Sequence, residues 1–491
     1  MALTVPKKYQ KVGAAALVLI FALIFFLKLP QSQLNYGRQL EYQAVYETYE
    51  KTHVLLARPG SDANFPDPKA IPQDHKNLGR GGVLDDPGIY LLPFVTVPFH
   101  IHNPLTGMHW VMIVLGVLTL LQLLIKFLSG SRRYKKSFFI LLLIPGILES
   151  LNIVPLASSW GATPSNYSLT GELALLVLLN IWLFSKSKRF IGSVGSLALT
   201  VVCLYVLVLV RRSAGLEISL VGLFLTFFLT RDQPPLDKKE SNPNKWKIRK
   251  SNVLQFWPMV AFLAVVFLAT SLATQTVSLA RSASAQHLTY KEGESNHSFW
   301  GVIYTGLGWR PINNGSAPSA LGVVWSDTWV EHKLHSLAPG IAADNPQREE
   351  VAKREVFRII KSHPVSFIWM MIEKTFYSLW MCKLWLIVFI TMVGFTRRAT
   401  REINANLERS RSRRSRNNKR MAEIKISSIR IPHFSISILV VLGTLVLISD
   451  SLLGAPYQGY LTALNSWLCF WSIYYMYQYS QLDPKIKTET K

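Results

Sequence analysis

Two adjacent acids, Asp85 and Asp86, are the strongest candidates for chemistry in this chain. A carboxylate within hydrogen-bond reach of an attacking hydroxyl can accept its proton, and a neighbouring acid or apolar burial raises the carboxyl pKa toward a useful value. The two acids could also share a divalent cation, although the pattern does not require one, and no organic cofactor is expected. The alternative is a plain turn, because Asp-Pro-Gly at residues 86–88 is typical turn chemistry.

A second group combines aromatic rings with polar side chains between residues 297 and 329. The stretch HSFWGVIYTGLGWRP covers residues 297–311, and WSDTW covers residues 325–329. Aromatic faces stack on sugar rings, while Asp, His and Arg bond to hydroxyls and phosphates. The alternative is an aromatic belt at headgroup level. With Tyr90 from the first motif, the candidate binding residues are Tyr90, His297, Trp300, Trp309, Arg310, Trp325 and Asp327.

Charged residues near predicted helix ends form a third group. Arg211 and Arg212 follow an apolar run at its predicted outer end, where the positive-inside rule does not favour cations. Paired guanidiniums bind phosphate with bidentate geometry, so this pair is a candidate phosphate site. Lys374 and Lys383 could serve the same end or extend to the membrane surface. His332 and His335 have helical spacing but no clear third ligand, so no metal site is predicted.

The composition predicts that these residues are positioned by membrane helices. The chain has 491 residues, of which 49% are hydrophobic and 17% charged, against about 25% charged in soluble proteins. The net charge of +24 suits basic cytoplasmic loops better than a nucleic-acid partner. The basic 396–432 loop, predicted to be disordered over 397–430, would meet anionic inner-leaflet lipid. We therefore expect an integral protein of the cell membrane, with membrane lipids as partners and no nucleic acid.

Apolar runs of nearly the length that a bilayer requires predict an all-α protein with about ten transmembrane helices. Both termini lie inside in this topology, and each predicted cytoplasmic loop is basic, as the positive-inside rule demands. The predicted spans are 12–30, 107–127, 138–156, 168–185, 190–210, 214–230, 253–275, 367–395, 433–450 and 460–478.

Two long segments, 31–106 and 276–364, face outward in this topology. They divide the chain into a module over 1–275, an outward segment over 276–364 and a second module over 365–491. The outward segment contains a predictable helix: Asn345 can cap it, Pro346 suits its first position, and Pro364 favours its end. Its apolar stripe consists of Val351, Val356, Ile359 and Ile360.

The phrase Asp-Asp-Pro-Gly-Ile-Tyr-Leu-Leu at residues 85–92, together with the helix layout, resembles the GT-C glycosyltransferases. These are polytopic enzymes that take sugars from polyprenyl-phosphate carriers, and their first outward loop carries the catalytic acid. The resemblance implies that Asp85 or Asp86 acts as the general base, without separating the two. It also implies a polyprenyl-phosphate-linked sugar as donor and a lipid or glycan as acceptor.

Two other functions fit the same pattern of helices and loops, and a third possibility is a non-catalytic membrane scaffold whose basic inner loop recruits partners. A glycan polymerase or ligase also uses lipid-linked sugar, and an outward Arg or His would then dominate the chemistry. A transporter or flippase of lipid-linked or anionic substrates would instead place polar residues near the bilayer midplane. The charged candidates cluster at predicted outer helix ends, which favours the transferase.

Overall fold

The fold of the chain is described from a computed structural model. The structure describes residues 38–59, 78–80, 88, 90–91, 111, 114–119, 121–122, 166–185, 190–231, 257–287, 299–311, 317–341, 346–413, 433–453 and 462–481.

A small unit stands near the N-terminal end of the described chain. Helix α1 (Arg38–Thr52) packs on strand β1 (Ala57–Pro59), which pairs antiparallel with β2 (Leu78–Arg80). Val54, Ala57 and Leu78 form a separate small core beneath this ribbon. The ribbon qualifies the all-α prediction, and every other regular element in the described residues is helical.

Four apolar helices form the first part of the helical body: α2 (Asn166–Ser185), α3 (Phe190–Val210), α4 (Arg212–Arg231) and α5 (Trp257–Ala285). Helix α2 packs on α3 and α4, and α3 also packs on α5. The described residues between 111 and 122 add contacts, since Asn180 donates to Thr119 over 2.9 Å. Leu, Val and Ile fill the core between these helices, as expected of helices that are apolar on most faces.

Three shorter helices form a second unit, the α6–α8 unit, with its own hydrophobic core. They are α6 (Phe299–Leu307), α7 (Asp327–Leu337) and α8 (Pro346–Ser362). Helix α6 packs on both of the others. The predicted helix in this segment is confirmed: it begins at Pro346 and ends before Pro364, and its stripe residues Val356 and Ile359 are buried in the core. Asn345, the predicted cap, lies outside the described residues.

The described residues from 364 onward form five helices, and the last of them packs on both parts of the helical body. They are α9 (Pro364–Met381), α10 (Lys383–Arg413), α11 (His433–Leu447), α12 (Ser449–Leu453) and α13 (Thr462–Gln481). Helix α13 packs on α2 and α10, and α11 packs on α4. The short α12 contacts both α6 and α9, so it joins the helical body to the α6–α8 unit.

Two described helices are long and apolar enough to cross a membrane, over Arg212–Leu229 and Trp257–Ala285. The pair α9 and α10 makes a third candidate if it counts as one bent span, and α2 and α3 contain shorter apolar stretches. Large apolar side chains on α5 face outward from the protein, including Phe267, which is 74% exposed. Such a surface suits lipid better than water. The predicted spans 12–30 and 138–156 lie outside the described residues.

Three predicted boundaries differ from the structure. The predicted span 367–395 is two helices that break at Cys382, with axes 74° apart. Helix α5 continues past residue 275 to Ala285, because alanine, leucine and arginine, which favour the helix, occur after the apolar run ends. The 397–430 stretch, predicted to be disordered, is helical as far as Arg413, since it continues the hydrogen-bonded turns of α10.

Gly308 allows a close approach immediately after α6. A Cβ at this position would lie far inside van der Waals contact with the backbone of Val324 and Trp325. The absence of a side chain therefore lets the chain after α6 lie directly against the segment that leads into α7.

We expect Gly308→Ala to destabilise the protein by about 1–3 kcal/mol, because the backbone on both sides must shift. The measurement is the thermal unfolding midpoint of the full-length protein in detergent. Gly394→Ala is the matched control, since a Cβ there meets nothing within 4 Å and alanine favours the helix. Equal midpoints for the two variants would show that the approach at Gly308 is not tight.

Candidate functional site

The motif that follows the acidic pair lies against the end of α3. Asp85 and Asp86 are outside the described residues, but Gly88, two positions later, is described. A Cβ on Gly88 would come within 2.7 Å of the backbone oxygen of Leu209. Tyr90 is buried in the core of the helical body, so its ring serves packing in this structure. The first motif and the end of α3 are therefore neighbours.

The paired arginines form the turn between α3 and α4. The Arg211 amide donates to the Leu207 carbonyl over 2.8 Å, and the Arg211 carbonyl accepts from Gly215 over 3.0 Å, so the turn keeps helical bonding. The Arg211 side chain is buried, and its Nε donates to the hydroxyl of Ser213 over 3.1 Å. Arg212 is exposed. The pair thus divides into one buried guanidinium that shapes the turn and one that faces outward from the protein.

Helix α12 is joined to α4 close to this turn. The hydroxyl of Ser449 donates to Oε1 of Glu217 over 3.0 Å. Glu217 is half-buried and lies in the second turn of α4. This bond brings the end of α11 and the start of α12 to the same side of the helical body as the arginine turn.

Five of the predicted binding residues around 297–329 are described: Trp300 lies at the start of α6, and the other four lie on the α6–α7 connection or at the start of α7. The backbone N–H of Trp300 donates to the Glu349 carboxylate over 3.1 Å, which satisfies the first turn of α6. The ring of Trp309 is buried 5.4 Å from that of Tyr377. His297 lies outside the described residues.

The remaining three residues of this group lie on the α6–α7 connection or at the start of α7. Asp327 begins α7, is exposed and accepts from the Thr305 hydroxyl over 3.1 Å. Arg310 is exposed and donates to the Pro318 carbonyl over 3.2 Å, and Trp325 is half-buried beside Gly308. Asp327 and Arg310 are exposed and Trp325 is half-buried, so all three leave surface on or beside the α6–α7 connection that a ligand can reach.

Lys374 is a residue whose role sequence reasoning missed. It is fully buried, and its Nζ donates to the carbonyls of Gly306 and Leu452, each over 2.9 Å. Neither a phosphate site nor a surface-seeking chain, as predicted, describes this amine, because it is buried in protein and donates to two backbone carbonyls. A signal existed in the sequence: Met370, Lys374 and Ser378 recur every fourth residue, and all three are buried on one face of α9.

A buried carboxylate in the α6–α8 unit also escaped prediction. Glu355 makes two 2.7 Å bonds to Arg358, which hold the pKa of the carboxyl below its usual value. Burial, together with the charge of Glu355 and a hydrogen bond to it, raises the pKa of Tyr304 to about 12. The phenol therefore keeps its proton, and this group of three fixes α8 against α6.

No family model matches the chain, and comparison with curated proteins and with solved structures gives no match. Among the residues that the structure describes, no group of three His, Cys, Asp or Glu side chains could hold a metal ion. The function is therefore inferred from the contacts of the chain's own residues.

We expect Lys374→Met to lower the unfolding free energy by about 1–3 kcal/mol for each of the two buried carbonyls that loses its donor. The readout is the thermal unfolding midpoint of the full-length protein in detergent. Lys383→Met is the control, because Lys383 is exposed and lies 4.3 Å above the ring of Trp380, so its loss should change stability by less than about 1 kcal/mol. A midpoint for Lys374→Met equal to that of the control would contradict the structural role.

We expect Glu355→Gln to destabilise the protein at neutral pH by about 1 kcal/mol, a modest figure because Arg358 is exposed to solvent. The folded-state pKa of Glu355 is lowered, so its stabilisation is present above the usual value of 4.5 and is lost as pH falls further. The thermal unfolding midpoints of the wild-type protein and of Glu355→Gln should therefore converge as the pH falls below the usual carboxyl value of 4.5. Glu350→Gln removes an exposed pair with Lys353 and should show no such convergence; a constant gap for Glu355→Gln would contradict the pKa shift.

Proposed function

We propose that this protein is a multi-pass membrane glycosyltransferase that transfers a sugar from a polyprenyl-phosphate donor to a lipid or glycan acceptor. The reaction takes place on the outward face of the cell membrane in a ten-span topology with both termini inside. Support for the membrane setting comes from the two long apolar helices and from the exposed apolar side chains of α5. The exposed arginines Arg397, Arg398 and Arg401 of α10 suit anionic lipid of the inner leaflet.

The contact between Gly88 and Leu209 is the observation that carries the proposal. Gly88 follows Asp86 by two residues, and Leu209 precedes Arg211 by two. Consecutive Cα atoms lie about 3.8 Å apart, so the chain can separate Asp85 from Gly88 by no more than about 11 Å, and Gly88 contacts α3 two residues before the arginine turn. A general base and a phosphate-binding cation are the two groups that this transfer needs, and they come from neighbouring segments.

The proposed reaction is a single displacement at the anomeric carbon of the sugar. The acceptor hydroxyl gives its proton to Asp85 or Asp86 as its oxygen bonds to the anomeric carbon. The bond from that carbon to the phosphate oxygen breaks, and the electron pair leaves on the lipid phosphate. Arg212 is exposed beside the turn and would stabilise the developing charge, while Arg211 positions the turn.

The accessible residues of the α6–α7 connection would bind the sugar or the acceptor. The ring of Trp325 offers an apolar face, and Asp327 and Arg310 offer groups that bond to hydroxyls or phosphate. They are connected to the arginine turn through protein contacts, since α6 touches α12 and α12 is joined to Glu217 of α4.

The test is release of polyprenyl phosphate by purified full-length protein given a panel of lipid-linked sugars. We expect Asp85→Asn or Asp86→Asn to reduce turnover by about 10²-fold or more, because a general base is lost. Arg212→Gln should reduce it by about 10²-fold through weaker stabilisation of the leaving phosphate. Glu350→Gln is the control, because Glu350 is an exposed acid on α8 that the site does not use.

Two outcomes would contradict the proposal in different ways. Full turnover in both Asp variants, with loss in Arg212→Gln, would favour a polymerase or ligase that relies on arginine. Movement of a lipid-linked substrate across liposomes, without release of polyprenyl phosphate from any donor, would favour a transporter.

A further inference from the structure

Helix α9 has two faces with opposite character. Met370, Lys374 and Ser378 are buried against protein on one face. The opposite face carries an exposed apolar stripe whose spacing of three and four residues follows the helix. The exposed stripe consists of Val365, Ile368, Trp369, Ile372, Phe376 and Trp380, with Val365 78% and Trp369 62% exposed. A stripe of this size on one side of a helix indicates an interaction surface.

The contacts of α9 do not suit a helix that crosses the bilayer. Its 18 residues are about 27 Å long, so a crossing helix would place Lys374 near the bilayer midplane. Lys374 instead donates to Gly306 of α6 and to Leu452 of α12. Both acceptors lie on the outward side in the proposed topology, so the middle of α9 lies at that level as well.

Helix α10, and not α9, makes the contacts expected of a membrane span. The hydroxyl of Thr396 donates to the carbonyl of Tyr475 over 3.3 Å, and the ring of Phe389 lies 6.0 Å from that of Tyr475. Helix α10 therefore runs beside α13, a span in the proposed topology, and reaches the basic residues Arg397 and Arg398 on the inner side. Because α9 and α10 differ by 74°, a span along α10 leaves α9 nearly parallel to the membrane plane.

We propose that α9 lies in the headgroup region of the outer leaflet, with its apolar stripe against lipid acyl chains. The stripe continues into exposed apolar residues of α10, namely Ile387 and Ile390, so both belong to one lipid-facing surface. Trp369 and Trp380 suit headgroup level because their rings are amphipathic. Lys383 lies over the Trp380 ring at the end of α9, where a cation meets lipid phosphate.

This arrangement anchors the α6–α8 unit at the membrane surface. Lys374 joins the protein-facing side of α9 to the end of α6, while the other side of α9 enters lipid. The accessible residues after α6 are thereby held near the surface of the bilayer, where the head group of a lipid-linked donor is located. This placement of α9 rests on the proposed topology and not on the proposed transfer reaction.

Nitroxide labels on single added cysteines test this placement in the full-length protein in phosphatidylcholine–phosphatidylglycerol liposomes. The three native cysteines are buried, and an unlabelled parent corrects for any reaction they undergo. Ile368→Cys and Phe376→Cys report on two turns of the stripe. Ile390→Cys reports on the span, and Arg354→Cys is the aqueous control on the exposed side of α8. Depth is obtained from the ratio of collisions with oxygen to collisions with a water-soluble nickel chelate.

We expect the labels at 368 and 376 to show the same shallow depth, with high access to oxygen. The label at 390 should lie deeper, and the label at 354 should show high access to nickel. A depth difference of about 12 Å between 368 and 376 would mean that α9 crosses the bilayer. Low access to both reagents at these two sites would mean that protein covers the stripe, and high nickel access would mean that water does; either result overturns the proposal. Val365→Cys and Ile372→Cys replace any variant that does not fold.

Discussion

The junction between the helical body and the α6–α8 unit depends on one constraint: the buried amine of Lys374 must find hydrogen-bond acceptors. An amine removed from water is costly unless its N–H groups meet acceptors. Lys374 meets them in the carbonyls of Gly306 and Leu452, which are 68 and 78 residues away along the chain. Three helices therefore converge on one nitrogen atom, and their relative positions are set by the directions of its hydrogen bonds.

Other local features follow from this convergence. Gly306 lies in the last turn of α6, and two residues later Gly308 lets the chain lie against the approach to α7, so the backbone of Trp325 meets the chain two residues from the acceptor of Lys374. Helix α12, which carries the acceptor Leu452, is also held to α4 by the hydrogen bond between Ser449 and Glu217. A continuous set of protein contacts thus runs from the α6–α7 connection to the arginine turn. Rigid support of this kind is what a site assembled from distant segments requires.

Local sequence signals predicted the parts of the fold that depend on local physics. The helix at Pro346–Ser362 follows from proline preferences at both ends and from its apolar stripe, and the long apolar helices follow from hydropathy. The break at Cys382 has no such signal, because neither proline nor glycine occurs there and tertiary contacts decide the bend. The partners of Lys374 and the neighbour of Gly88 are far away along the chain, so spacing alone could not identify them.

The order in which the chain is synthesised gives the Lys374 amine a further consequence. Gly306 is synthesised first, Lys374 follows 68 residues later, and Leu452 follows after a further 78 residues. The hydrogen bond from the amine to Leu452 therefore cannot form until α12 has been made. Until then α6 and α9 lack their contact with α12, so the attachment of the α6–α8 unit to the helical body is completed only after that helix is in place.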